Sequence, residues 1–143
     1  MDYSKNSGLI PAVVQDAESS EVLMVGFMNE QALAETRRSG YATFFSRTRG
    51  KLWTKGETSG NRLAVQEILV DCDEDTVLVK VKRLGNGNVC HTGERTCFFR
   101  TLDQVTKDSA SSVPSASSVS SVSSVSSVSS VSSVSAVVTA GGK

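Results

Sequence analysis

The chain is short of the residues that carry most metal and redox chemistry. Its 143 residues include only 3 cysteines and 1 histidine. An odd, small set of thiols argues against a disulfide framework. It leaves metal binding, catalysis or plain burial as their uses. Net charge is missing too, since 15 basic residues balance 15 acidic ones. No basic excess draws the chain to nucleic acid by bulk electrostatics, and there is no acidic tail. No window approaches the roughly 18 consecutive apolar residues of a membrane span. The opening stretch, "MDYSKNSGLIPAVVQD", lacks the basic start and long apolar run of a secretory signal. A cytoplasmic protein is the resulting expectation. The length suits one domain and is too short for two sizeable ones.

Charge also vanishes near the end: after Asp108 only Lys143 is charged. From Val119 to Val134 the unit "SSV" recurs, with valine at every third position. That period matches neither a helix near 3.6 nor a strand at 2, so neither form gathers the valines on one face. Small polar side chains offer little apolar area to offset the entropy of ordering. Residues 108–143 therefore read as a disordered, low-complexity Ser/Val-rich tail without chemistry. Residues 1–107 form the working domain. Its core is marginal alone, and dimerisation or a metal would help hold it.

Within the domain the patterning is mostly β. "AVVQD" and "EVLMVGFM" read as a hairpin. "NEQALAETRRSG" reads as one short helix, with Asn29 as N-cap, Arg37 and Arg38 in the last turn and Gly40 closing it. Strands follow at "YATFFSR", Lys51 to Trp53, "RLAVQEILVDC" and "TVLVKVKRL", with a last short strand at "CFFR". In "TVLVKVKRL", Val77, Val79 and Val81 share one face and Lys80 and Lys82 the other. Alternating parallel βαβ units are absent, which argues against a Rossmann or TIM architecture.

Three features carry candidate chemistry. Cys72 sits in "DCDED", while Cys90 and Cys97 flank "HTGERT". Zinc takes about four ligands from thiolate, imidazole, carboxylate and water, so three thiols would leave one place for water. No CxxC spacing is present, and burial of the thiols as small apolar groups stays open. Asp71, Asp73 and Asp75 alternate, so on an extended segment they could converge on Mg²⁺. On a regular strand Cys72 would then face the other way, unless the turn breaks the alternation. A plain solvated acidic turn is the simpler alternative. "KGETSGN", Lys55 to Asn61, offers glycines, hydroxyls and a lysine for gripping phosphate, with Arg47, Arg49 and Lys51 just before it. The alternative there is a solvated glycine-serine turn. His91, directly after a candidate ligand, is placed for proton transfer, or is merely a hydrogen-bonded residue. Trp53 reads as packing under the loop, unless the loop is the substrate site.

The ordered blocks "LMVGFMNEQAL", "FFSRTRGKLWTKGETSGN", "DCDEDTVLVKV" and "CHTGERTCFFR" run from about Pro11 to Arg100. In that combination the sequence resembles the phosphoribosyl-AMP cyclohydrolases of histidine biosynthesis. The resemblance implies a mainly β, barrel-like fold, classed as α+β, in a homodimer with active sites at the subunit interface. It implies zinc held by Cys72 of one subunit with Cys90 and Cys97 of the other, and Mg²⁺ on Asp71, Asp73 and Asp75. It implies hydrolysis of the N1–C6 bond of the adenine ring of phosphoribosyl-AMP; the hypothesis for that reaction is that His91 moves protons between the water and the leaving nitrogen. Arg47, Arg49, Lys51, Trp53, Lys55, Glu57, Thr58, Ser59, Gly60 and Asn61 would bind the substrate and hold one or both phosphates. The tail departs from relatives in which a pyrophosphohydrolase domain follows, so only the cyclohydrolase step is expected. Short zinc deaminases attack a similar carbon but need HxE and PCxxC, and neither occurs here. Two rival readings are a non-catalytic, zinc-stabilised nucleotide-binding module and a thiol redox sensor using Cys90 and Cys97.

Overall fold

The computed structural model describes residues 1–110. A 3₁₀ turn at Ser4–Asn6 leads into β1 (Ile10–Asp16) and β2 (Val22–Met28). Helix α1 (Glu30–Ser39) follows, then β3 (Thr43–Ser46), β4 (Lys51–Thr54), β5 (Leu63–Val70), β6 (Val77–Arg83) and α2 (Leu102–Ala110). Four strands form one sheet in the order β2-β1-β6-β5, and β3 pairs with β4 in a separate hairpin. The neighbours β1 and β6 run parallel and the other pairs antiparallel. Met1–Phe99 is one structural unit; Arg100 begins a second, of which α2 is the described part.

Alternation decides which face of the central strands is buried. Ile10, Ala12 and Val14 of β1 and Val77, Val79 and Val81 of β6 are fully buried, as the period-2 pattern requires. Pro11 lies in a central strand, where a missing N–H is costly. It sits one residue before the β6 ladder begins at Ala12. In β2 the register slips between Val14 and Gln15 of its partner, so Leu23 is extra and both Leu23 and Met24 are buried. This bulge turns part of the β2 backbone away from the ladder. Asp16 is buried at the end of β1. Burial raises its pKa, but bonds from the Ser19 N–H and hydroxyl and from Arg83 bring it below the ordinary value. Arg83 also donates to Gly87 O at 3.0 Å, tying the β1–β2 turn to the loop after β6.

Helix α1 begins and ends as its sequence requires. Asn29 Oδ1 accepts from Ala32 N at 2.8 Å, and Gly40, at φ 77°, donates to Thr36 O. Ala32 and Thr36 face inward. Phe44 is fully buried and packs on Trp53, ring centroids 5.1 Å apart. Trp53 thus packs into the core beneath the β3–β4 hairpin.

Three expectations need correction. The sheets do not close into a barrel. A single bridge, Tyr41 to Ala64, links the region before β3 to β5, and β2 and β5 remain edges of the larger sheet. "CFFR" is not a strand: Cys97 N bonds to Leu23 O at 2.8 Å, but residues 97–100 form no strand ladder. Helices number two rather than one among the described residues. The signal for α2 was present as "TLDQ": Thr101 N donates to Gln104 Oε1 at 2.7 Å, and Gln104 N to Thr101 Oγ1 at 3.4 Å. That is a reciprocal capping box. The expected boundary after residue 107 falls within α2, and the Ser/Val tail lies outside the described residues.

Gly26 packs tightly against the Phe44 ring. A Cβ there would lie 2.5 Å from Phe44 Cδ1. Overpacking of this kind costs about 1–3 kcal/mol. Gly26→Val should lower the denaturant midpoint accordingly, and Gly26→Ala by less, because it places two fewer methyl groups beside Phe44. Equilibrium unfolding of the two variants checks this.

Candidate active site

The acidic segment is a turn. β5 ends at Val70, and the chain reverses through Asp71–Asp75 before β6. Glu74 adopts a left-handed conformation, φ 60°. Asp71 Oδ1 accepts from Asp75 N at 3.0 Å and Thr76 N at 3.1 Å, which fixes the turn from within. The alternation is broken, and one carboxylate oxygen from each of Asp71, Asp73 and Asp75 lies within 4.8 Å of the others. Three hard oxygen donors at this spacing fit a divalent cation. Lys5, from the 3₁₀ turn, reaches Asp73 Oδ2 at 2.7 Å and Asp75 Oδ2 at 3.0 Å. The Lys5 contact lowers the pKa of Asp73. Cys72 is exposed on the same turn.

Cys90 and Cys97 bound a second loop. Cys90 N donates to Glu94 O and Gly93 N to Cys90 O, both at 3.0 Å, closing the loop on itself with His91 and Thr92 at its exposed tip. Val89 is buried and anchors one end. The other end is held by β2: the Thr96 hydroxyl donates to Val22 O at 2.9 Å and Leu23 O at 3.1 Å, and Cys97 N donates to Leu23 O. The bulge at Leu23 thus supplies the carbonyl that sets Cys97. Arg95 adds an ion pair to Glu21 at 2.7 Å.

The two thiols differ. Cys90 is buried, and its pKa is lowered, first by the Thr92 hydroxyl 3.0 Å from Sγ, then by the Thr92 N–H, the Cys97 thiol and the Lys55 charge. The Cys97 pKa is raised, first by burial of its sulfur and then by the charge of Cys90. Lys55 opposes that rise, so one ammonium acts on both sulfurs. Adjacent soft donors beside a cation fit zinc. Among the described residues no third His, Cys, Asp or Glu joins this pair within one chain.

The glycine-rich loop is held by close packing. Gly56, at φ 76°, passes so near the Asn61 backbone that a Cβ would collide with it. Asn61 Oδ1 accepts from Asn86 N at 3.1 Å, docking the loop on the stretch that leads to Cys90. Glu57, Thr58, Ser59 and Gly60 are exposed. In the β3–β4 turn, Arg49 and Lys51 are exposed, and the Arg47 guanidinium lies 4.1 Å above the Phe27 ring. The structure therefore brings Lys55 to the thiols and gathers the three aspartates, while Cys72 stands apart from Cys90 and Cys97 within one chain.

Residues 24–99 match the family model for phosphoribosyl-AMP cyclohydrolase. A phosphoribosyl-AMP cyclohydrolase of Solibacter usitatus (strain Ellin6076) is 57% identical over 103 residues, 72% of this chain and 81% of the relative. One from Citrifermentans bemidjiense is 59% identical over 99 residues, 69% of this chain and 78% of the relative. One from Methanothrix thermoacetophila is 57% identical over 95 residues, 66% of this chain and 77% of the relative. The chain belongs to the phosphoribosyl-AMP cyclohydrolase family. The matched span of this cyclohydrolase-family enzyme, a hydrolase, contains all three cysteines, the three aspartates and His91. No helix among its described residues is long and apolar enough to cross a membrane.

Sequence reasoning missed Lys5, Thr92 and Thr96 in this cyclohydrolase-family site. The threonines adjoin or nearly adjoin the cysteines and were legible as hydroxyl donors. Lys5 gave no signal, lying 68 residues from Asp73.

The thiol asymmetry has a defined pH signature. In metal-free protein Cys90 should form thiolate below the ordinary thiol range and Cys97 above it. Cys90→Ser removes a neighbouring negative charge, so the Cys97 titration should move down. Ultraviolet thiolate absorbance followed against pH in wild type and Cys90→Ser checks both statements.

Proposed function

We propose that this chain hydrolyses the N1–C6 bond of the adenine ring of phosphoribosyl-AMP, a step of histidine biosynthesis. The family match across residues 24–99, which spans every thiol, carries the reading. The ribosyl group on N1 makes C6 electrophilic. Water adds at C6, the N1–C6 bond breaks, and N1 takes a proton as the ring opens to the formimino-aminoimidazole carboxamide.

In this reading Cys90 and Cys97 of one chain and Cys72 of a second would hold zinc. Zinc supplies Lewis acidity and lowers the pKa of water. Lys55 offsets the charge of the sulfurs, which would otherwise make a thiolate-rich metal a weak Lewis acid. Asp71, Asp73 and Asp75 would hold Mg²⁺. Arg47, Arg49 and Lys51, with the loop Lys55, Glu57, Thr58, Ser59, Gly60 and Asn61, would bind the phosphates and ribose. Trp53 supports that surface from beneath. His91, free at its loop tip, would take a proton from the attacking water and deliver one to N1.

A homodimer supplies the third thiol. Val22 and Val25 on β2 and Leu69 and Val70 on β5 are exposed apolar residues on the two sheet edges, surface that a second copy could cover. Free thiols of this kind persist in a reducing compartment, which suits a cytoplasmic enzyme.

Subunit mixing tests the shared site. Cys72→Ser and Cys97→Ser should each abolish turnover alone. Mixed and allowed to exchange, they should recover about a quarter of wild-type activity, since half the dimers carry one intact site of two. No recovery after verified exchange refutes ligand sharing.

The role of His91 has its own readout. His91→Ala should lower kcat by about 10²- to 10⁴-fold at unchanged zinc content. Full turnover in a zinc-loaded variant removes His91 from the chemistry.

A further inference from the structure

The segment before β1 is folded onto the acidic turn. Gly8 N donates to Tyr3 O at 2.9 Å and Leu9 N to Asn6 O at 3.0 Å, so residues 3–9 hold a tight local shape. Asp2 N donates to Glu74 O at 2.7 Å, fastening its start to the turn. Asp2 Oδ1 accepts from Ser4 N at 2.9 Å, which sets the course of the 3₁₀ turn. From that turn Lys5 extends to Asp73 and Asp75. A cleft of about 230 Å³, lined by Asp2, Lys5, Leu9, Asp75 and Thr76 among others, runs between segment and turn. Solvent and small ions can therefore reach the contact.

The oxygens used by Lys5 belong to two of the three aspartates that converge. Asp71 Oδ1 is committed to the backbone of the turn. Of the three carboxylates that would meet the cation, Asp73 and Asp75 already meet the ammonium. An ammonium and a divalent ion on the same oxygens repel each other and compete for lone pairs.

We propose that Lys5 is a tethered competitor of the divalent cation at the acidic turn: it occupies Asp73 and Asp75 at low cation concentration and is displaced as the cation binds. The inference rests on the reading of Asp71, Asp73 and Asp75 as the magnesium site. Its consequence is that the affinity of the turn is set by a residue far away in sequence. The lysine also offsets part of the carboxylate charge when no divalent ion is bound, which eases the repulsion within the turn. By linkage, whatever factor Lys5 takes from cation affinity the cation takes from Lys5 engagement.

The test uses full-length, zinc-loaded protein and Mn²⁺ as the spectroscopic probe for the turn. Lys5→Met should bind Mn²⁺ about two- to fivefold more tightly than wild type, the range set by partly exposed ion pairs. The difference should shrink at high salt, because the contact is screened. In wild type, peptide mapping after mild amine acylation should show Lys5 protected without divalent ion and reactive with saturating Mg²⁺. Equal Mn²⁺ affinity in wild type and Lys5→Met overturns the inference alone. So does Lys5 that becomes more protected as Mg²⁺ is added. If Asp73→Asn leaves Mn²⁺ binding unchanged, the magnesium reading itself falls, and the inference with it.

Discussion

Groups that repel one another must be held side by side in this protein, and the fold is arranged around that constraint. Three carboxylates converge within 4.8 Å at one turn, and two thiols adjoin on another loop. Neither arrangement is stable by itself once the groups ionise. Each is fixed by backbone hydrogen bonds that do not depend on the repelling groups alone. Each also has a lysine from a distant part of the chain beside it, Lys5 at the aspartates and Lys55 at the thiols. The neutral total charge of the chain conceals this local pairing of acid and base.

The sheet supplies the rigidity. β1 and β6 lie in its centre with their inward residues fully buried, and the acidic turn is the direct link from β5 to β6. The cysteine loop is fastened instead to the edge strand β2. An edge strand has unpaired carbonyls, and the bulge at Leu23 turns one of them toward Thr96 and Cys97. A feature that weakens the ladder thus positions a thiol. The glycine-rich loop is seated by Gly56 and Asn61, which places Lys55 near the same thiols.

The open sheet bears on the chemistry. A closed barrel would leave no edges, whereas here β2 and β5 end the sheet with apolar residues exposed. One chain brings two soft donors together and leaves Cys72 on a different turn. The proposed site, completed by a second copy, would reconcile these facts, and Lys5, in its proposed role, would modulate how readily the neighbouring acidic turn accepts a cation.

Much of this was legible in the residues. Period-2 alternation gave the buried face of β6, and Asn29 and Gly40 gave both ends of α1, because these signals act over a few residues. The four motif blocks gave the family and its candidate ligands, because chemistry demands particular side chains. Helix α2 was legible in "TLDQ" but was overlooked, and "CFFR" looked like a strand because apolar content does not reveal whether a partner is available. The open edges of the sheet, the parallel pairing of β1 with β6, the slip at Leu23 and the reach of Lys5 to Asp73 had no local signature. Each depends on which distant segments meet, and that is settled by the packing of the whole sheet. The sequence by itself determined most of the elements and the reactive groups. Only the tertiary structure decided which charges face one another, because Coulomb and hydrogen-bond energies depend on distance in space and not along the chain.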